Sequence, residues 1–532
     1  MPVVPHAERS VELRMPPALD LDGVIGALRR HAEIVAEPPR FTDRVYLDTF
    51  DGRLHAAGLT LWRPATEDGG VTLTLEEAHG PPRTVRALPS RRDRIVAGDL
   101  AAGAVRDRLL AVIDQRALLP HVRVRSRDHP LGVRDTDGKT VVRVVVEQPA
   151  LVRPKRPSAS LGCRVRIVGV LGYPRAFTRV RKWLDADLGL TPAPTAVVAE
   201  ATAAAGLPVA GVSSTVGVAL DPAMRADHAS ILICRRLADI VEANLPGACA
   251  DIDAEFLHDL RVAVRRTRSV LKEITGILPP AGTERARADL RWIQEITGPT
   301  RDLDVQLESW PTVVWTVSPT MTGDLGGLHD LLARHRAAEF ALMRRRLRGQ
   351  RFDRAWRAWR ELLDQPPSTD TGGNGMPIRE AAGRRIAAVH RGIVRRGSAI
   401  DDTSAPGAIH DLRKRGKELR YLLELFADLW PVDAVKPLVS TLKGLQDVLG
   451  RFQDDEVQIR SLRGLEPELA VLPGGTDSLI ALGLVIDGLA EDQRRARNAF
   501  AERFAPFAAA RTRKLVAAAF GGQPSGRSGR HP

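Results

Sequence analysis

The chain predicts an α+β fold: an N-terminal antiparallel sheet or barrel with attached helices, then an all-α domain of two tandem, pseudo-symmetric helical bundles. Three observations predict it. The first 200 residues read as short alternating or β-branched segments divided by Gly, Pro and Asp. From about Met224 the texture changes to long amphipathic helices. Within that helical half the sequence repeats itself at one constant offset.

In chain order, strands are expected at residues 10–14, 43–49, 59–63, 71–75, 121–127, 140–147 and 162–168, with helical stretches at 21–34, 101–114 and 174–187. Residues 206–221 are small, weakly polar and aperiodic, which marks a linker. Pro/Gly/Ser/Thr-rich residues 365–377 interrupt the helical half, and residues 521–532 are expected to be a disordered tail. The expected domains are therefore 1–205, a linker at 206–222, and 223–520, the last split into repeats at about 223–364 and 376–520.

At 532 residues, 44% hydrophobic and 27% charged, the chain is long enough for at least two domains with real cores and is neither disordered as a whole nor collagen-like. No stretch approaches the roughly 20 unbroken apolar residues of a membrane span. The first residues carry Glu8 and Glu12 and lack the basic start and apolar run of a secretory signal, so a soluble, cytoplasmic protein with no membrane partner is expected. Cys163, Cys234 and Cys249 are odd in number and without paired spacing, which supports neither a disulfide framework nor a zinc site.

The formal charge is +13, yet only nine of the 78 basic residues are Lys, and an Ala/Gly-rich, Arg-rich composition also follows from coding bias. Residues 1–222 hold 31 basic against 25 acidic residues and residues 223–520 hold 45 against 40, so net charge singles out neither half. An anion site has to show itself as a pattern of side chains.

The repeat supplies such a pattern. His258-Asp-Leu-Arg261 recurs as His410-Asp-Leu-Arg413, an offset of 152 (410 minus 258). The same offset lays Leu290-Arg-Trp-Ile-Gln-Glu-Ile-Thr-Gly298 on Leu442-Lys-Gly-Leu-Gln-Asp-Val-Leu-Gly450, and pairs Asp302 with Asp454, Asp304 with Glu456 and Met224 with Met376. In each copy the His opens a basic series: His258, Arg261, Arg265 and Arg268, then His410, Arg413, Lys417 and Arg420. Steps of 3, 4 and 3 place four side chains within about 80° on one helix face, along a stripe about 15 Å long. Like charges at i, i+4 repel, so something outside the helix should neutralise them.

Pairing with bundle acids such as Asp302 and Asp454 is the plain reading. A row of Arg forks headed by His suits phosphate oxygens, and an extended polyanion better than a compact nucleotide. Nucleic acid is disfavoured: aromatics are 4% of the chain, and the stripe has only Tyr421 nearby as a stacking platform. A metal phosphohydrolase built on the His-Asp doublets is disfavoured too, because Asp259 and Asp411 turn about 100° from their His, and the surrounding Arg residues repel a divalent cation.

Over residues 223 to about 520 the sequence resembles the CHAD family, the conserved-histidine α-helical domain. The strings that carry the resemblance are His258-Asp-Leu-Arg-Val-Ala-Val-Arg-Arg-Thr-Arg268, Gly298-Pro-Thr-Arg-Asp-Leu-Asp-Val305, His410-Asp-Leu-Arg-Lys-Arg-Gly-Lys-Glu-Leu-Arg-Tyr421 and Leu445-Gln-Asp-Val-Leu-Gly450. The resemblance implies two antiparallel helical bundles related by a pseudo-twofold and a basic groove that binds inorganic polyphosphate. Carried over by motif, the binding positions are His258, Arg261, Arg265, Arg268, His410, Arg413, Lys417 and Arg420, with Arg301 in addition. No cofactor is required for that binding.

Residues 6 to about 203 resemble the CYTH family, an antiparallel β-barrel of the triphosphate-tunnel type. Tyr46-Leu-Asp-Thr-Phe-Asp-Gly-Arg-Leu-His-Ala-Ala-Gly-Leu-Thr-Leu61 carries the likeness, and Leu75 and the strands near Arg123 and Val144 agree in order. The departures fall on the chemistry. The family opens with Glu-x-Glu-x-Lys, where this chain has Ser10, Glu12 and Arg14. Its next basic positions fall on Trp62 and Pro64, with Arg63 out of phase by one, and the Lys after Thr-x is Glu76. The late strand expected to alternate Glu carries Arg164 and Arg166. Metal-dependent phosphoryl chemistry needs clustered carboxylates, and only Glu12 as a metal ligand, with Glu147, remains. The expectation is a degenerate CYTH domain, inactive as a triphosphatase, with Mg²⁺ or Mn²⁺ needed only if activity is retained. The alternatives are an active metal-dependent triphosphatase that uses CHAD for substrate capture, and a basic scaffold for nucleic acid or an acidic protein.

Overall fold

The computed structural model describes residues 10–65, 71–77, 83–87, 94–311, 325–365, 375–401 and 403–521. The expected disordered tail beyond residue 521, and most of the interruption at 365–377, lie outside the described residues. Contacts divide the chain into two units, Met1–Ser214 and Thr215–Pro532.

Among the described residues the first unit is an antiparallel sheet of eleven strands. They are β1 (Ser10–Arg14), β2 (Glu33–Ala36), β3 (Arg40–Asp48), β4 (Leu59–Pro64), β5 (Val71–Glu77), β6 (Arg83–Ala87), β7 (Leu119–Arg134), β8 (Thr140–Leu151), β9 (Ala159–Ser160), β10 (Arg164–Gly169) and β11 (Thr191–Pro192). The main path runs β11-β1-β10-β8-β7-β3-β4-β5-β6, with β2 on β7 and β9 on β8. The resemblance implies a closed barrel; among the described residues no pairing joins β6 back to β11, so the path has two ends.

Alternation gives the sheet two chemically different faces. On one face Leu13, Val144, Val165 and Ile167 pack under α1 (Leu21–Arg29) and α4 (Pro174–Leu188) through Val24, Leu28, Phe177 and Val180. Farther along, Leu47, Leu61 and Leu75 pack with α2 (Arg53–Ala56) and α3 (Ala104–Ile113). The intervening residues point to the opposite face: Glu12, Tyr46, Trp62, Glu147, Arg164 and Arg166. A short helix, α5 (Val197–Ala204), packs beside the Tyr46 cluster.

Two sequence expectations change. The helix expected at 21–34 stops at Arg29, because Ile34 pairs with Val133 in a strand and tertiary pairing overrides helical periodicity. The linker at 206–221 is no free tether. Val212 N–H donates to the Phe50 carbonyl at 2.9 Å, and Gly52 and Gly211, both near φ +70°, sit back to back. A Cβ on Gly52 would lie 2.5 Å from the Ala210 carbonyl oxygen, so Gly is required there.

The second unit is helical: α6 (Ala226–Ala250), α7 (Ala254–Glu273), α8 (Pro280–Glu308), α9 (Gly326–Leu347), α10 (Gln350–Asp364), α11 (Ile378–Gly397), α12 (Pro406–Phe426), α13 (Val432–Gly464), α14 (Glu466–Ala470), α15 (Gly475–Asn498), α16 (Phe500–Ala508) and α17 (Ala510–Phe520). The sequence offset reappears in the helix starts: α11, α12 and α13 begin 152 residues after α6, α7 and α8 (378 minus 226, 406 minus 254, 432 minus 280). The starts of the two repeats also clasp each other. Ala226 N–H donates to the Met376 carbonyl at 2.9 Å and Ile378 N–H to the Met224 carbonyl at 2.7 Å, bonds that exchange when each residue is replaced by its equivalent. The repeats share one interior rather than forming two bodies, since Leu328 and Leu332 of α9 pack with Leu462 of α13 and Leu482 of α15.

Candidate phosphate-binding groove

Helices α7 and α12 each bury an apolar stripe, through Leu260 and Val264 in one and Leu412 and Leu419 in the other. The Asp253 carboxylate caps α7 by accepting from the Glu255 and Phe256 N–H groups, which fixes where its turns begin. The faces left outside the apolar stripes carry the basic series. Arg266 pairs with Glu424 at 2.6 Å and Lys272 pairs with Glu418 across the two helices. These clamps are equivalent under the repeat (418 minus 266 and 424 minus 272 are both 152) with the signs exchanged, so the α7–α12 contact lies on the pseudo-twofold.

Beside this contact, α7, α8 and α12 line a cavity of about 670 Å³. Of the sequence-predicted residues, Arg265, Arg268, Arg413 and Lys417 line it. Basic neighbours that helical spacing alone does not single out join them: Lys272, Arg287, Arg291 and Lys414. The carboxylates in its wall, Glu284 and Glu418, are engaged by Arg287 and by Lys272 with Arg415. Arg268, Arg291 and Lys417 have no ion pair among the described residues.

The electrostatics follow from that surplus. Burial, then Arg413 and Arg265, push the Lys417 ammonium down to about 8. Burial and then Arg291 lower Arg268. The field that disfavours each cation favours an anion among them.

The other predicted residues are placed differently. Arg261 turns inward and donates to the Gln294 carbonyl at 2.9 Å and the Thr297 hydroxyl at 2.7 Å, and burial followed by Arg265 lowers its pKa to about 10. It holds α7 on α8 instead of lining the cavity. Arg301 pairs with Glu308 at 2.9 Å and approaches Glu255 at 3.9 Å. Arg420 does not line the cavity and pairs with Glu424 at 2.6 Å. Arg413 lines the groove while also holding Asp454 at 2.6 Å. His258 and His410 are half-buried and lie outside the lining, with His410 Nδ1 2.7 Å from Gln453 Oε1. A signal for Arg291 was present in the sequence: Lys443 stands at the same place in the second copy of its block.

In the sheet unit, the two carboxylates left for a metal are held by guanidinium groups. Arg164, 2% exposed, donates to Glu12 at 2.6 Å, to Glu200 at 2.6 Å and to the Thr195 carbonyl at 2.8 Å. Arg166 pairs with Glu147 at 2.6 Å. Trp62, where the sequence resemblance implies a cation, donates its indole N–H to Glu76 at 2.9 Å, and its ring lies 4.7 Å under Arg44. Among the described residues no group of three or more His, Cys, Asp or Glu converges as metal ligands. With Glu12 and Glu147 held by guanidinium groups, the described residues of this unit do not fit a Mg²⁺ or Mn²⁺ site.

Residues 232–463 match the family model of the CHAD domain, and the chain carries a CHAD domain there. Two curated proteins of Mycobacterium tuberculosis, the uncharacterized proteins Rv2226 and MT2285, are each 25% identical over 249 residues, covering 46% of this chain and 46% of theirs. The chain thus matches about half the length of these relatives. Among solved structures, the CHAD domain from the plant Ricinus communis is similar with 23% identity and a TM-score of 0.43, over 53% of this chain and 94% of that one. PptA from Streptomyces chartreusis is similar with 16% identity and a TM-score of 0.42, over 53% and 99%. No helix among the described residues is long and apolar enough to cross a membrane.

Proposed function

We propose that the CHAD domain of this chain binds inorganic polyphosphate in the groove between α7, α8 and α12. The observation that carries the reading is the convergence of Arg268, Arg291 and Lys417, cations from three helices that have no ion pair among the described residues, in a groove where burial and neighbouring cations lower the proton affinity of Arg268 and Lys417. A linear chain of phosphates neutralises such a track and accepts Arg forks along its length. Bases find little to stack on there, since Tyr421 is the aromatic in the lining. The His258 and His410 motifs support the same reading by resemblance, with Arg261 and Arg301 supporting the walls.

The sheet unit, in this proposal, is a degenerate triphosphate-tunnel barrel of the CYTH kind and is not a triphosphatase, because Arg164 and Arg166 occupy the carboxylates a metal would need. The protein acts in the cytoplasm or on polyphosphate granules.

Titration of the full chain with long-chain polyphosphate at several salt concentrations tests the groove. Affinity should fall steeply with salt as condensed counterions are released. Arg268→Gln with Lys417→Gln should weaken binding by more than roughly tenfold, the loss of two charge-assisted contacts; unchanged affinity, or single-stranded RNA that polyphosphate does not displace, overturns the reading. Hydrolysis of tripolyphosphate with Mg²⁺ or Mn²⁺ that Glu12→Gln abolishes would overturn the assignment of the sheet unit.

A further inference from the structure

A second set of cations stands outside the groove. Arg344, Arg345 and Arg346 occupy the last turn of α9 and Arg348 caps it. Arg351, Arg354 and Arg357 follow on α10. All seven are exposed, and none forms an ion pair among the described residues. Favourable charge at a helix C-terminus accounts for the first group. It does not account for Arg351 and Arg354, which sit in the first two turns of α10, where a cation opposes the helix dipole. Steps of three from Arg351 through Arg354 to Arg357 add like-charge repulsion along that helix.

The repeat offers an internal control. At the offset of 152 the seven positions become Ala496, Arg497, Asn498, Phe500, Arg503, Pro506 and Ala509, so five of the seven charges are missing from the second copy. The cluster is therefore a feature of the first repeat and not of the repeat pattern. The cluster adjoins the groove across one helix. Arg291 and Gln294 of α8 line the groove, whereas their neighbours Trp292 and Glu295 line a second cavity of about 580 Å³ together with Arg346 and Arg351. The Arg351 guanidinium lies 4.2 Å over the Trp292 ring, tying α10 to α8 at that crossing.

We propose that the α9–α10 arginines form a second station for the same polyphosphate chain, which leaves the groove at Arg291, crosses α8 and continues over Arg346, Arg351 and Arg354. This rests on the groove reading and adds chain-length selectivity to it: a short chain fills the groove alone, and a long chain engages both stations. One phosphate polymer is favoured over nucleic acid because the exposed face of Trp292 is already covered by Arg351.

The test compares long-chain polyphosphate, tripolyphosphate and single-stranded RNA on the full chain and on the triple variant Arg346→Gln, Arg351→Gln, Arg354→Gln, all surface positions. The expected result is a loss of roughly tenfold for the long chain, a salt slope smaller by about 2 from three lost contacts at about 0.7 each, and unchanged tripolyphosphate affinity. Unchanged long-chain affinity and slope overturn the proposal, as does a loss confined to RNA. Arg268→Gln with Lys417→Gln should weaken both polyphosphates; if it weakens neither while the triple variant still acts on the long chain, the groove reading fails and the second station stands.

Discussion

Lys417→Met should make the free protein more stable and less able to bind. In the folded chain the Lys417 ammonium loses its proton at about 8, against the usual lysine value of 10.5. The unfolded chain therefore holds a proton between those values that the folded chain has lost, so the contribution of this group to stability rises with pH through that window and its cost is complete below about 8. At about 1.36 kcal/mol per pH unit, keeping Lys417 charged in the empty groove costs about 3 kcal/mol at pH 7, an upper figure for a half-buried group, and about 1 kcal/mol at pH 9.5. Methionine fills the same space without the charge. Denaturant unfolding of the full chain should show Lys417→Met ahead of the parent by about 1–3 kcal/mol at pH 7, with the gap narrowing at pH 9.5. Saturating polyphosphate should reverse the order at pH 7, since only the parent has the cation. A variant less stable than the parent at pH 7, or a gain independent of pH, would refute the reasoning.

Arg164→Met should cost the sheet unit about 2 kcal/mol by leaving Glu12 and Glu200 without their shared cation, discounted because both carboxylates are partly exposed; urea unfolding that moves by less than about 0.5 kcal/mol, the size of an ordinary exposed substitution, would contradict it. Gly247→Ala should destabilise the helical unit by about 1–3 kcal/mol, because a Cβ there would lie 2.3 Å from the ring of buried Phe256; a melting temperature equal to the parent's would show that α6 and α7 shift freely. Arg301→Gln should reduce polyphosphate affinity less than Arg268→Gln does and reduce stability more, since Arg301 is already paired with Glu308; the opposite ranking in paired titration and unfolding measurements would place Arg301 in the groove.

The strand at Ser10–Arg14 was legible to the residue, and the repeat offset read from the sequence reappears in the starts of α7 and α12. The edge strand at Glu33–Ala36 was not, because its pairing with Leu131–Arg134 is a contact a hundred residues away and its residues continue a helical period. Only half of the basic stripe lines the groove. Helical spacing gives the face on which Arg261 and Arg265 lie, but not that Arg261 reaches the Gln294 carbonyl while Arg265 stays in the cavity. Arg291 and Lys272 needed the packing of three helices before they could be seen as parts of one site. The α9–α10 arginines were present in the sequence as a run, and only their exposure and lack of ion pairs among the described residues distinguish them from a solvated helix face.

The clasp between residues 224–226 and 376–378 has a consequence for assembly. Its two hydrogen bonds exchange under the repeat, so either half offers the other the surface that a second molecule's half would also offer. Exchange of repeats between two chains preserves every clasp bond and both α7–α12 clamps. Covalent linkage of the two repeats in one chain favours the internal pairing by raising the effective concentration of one half for the other. A chain whose repeats could not meet internally would instead pair them between two molecules, a domain-swapped dimer with two complete grooves built from two chains.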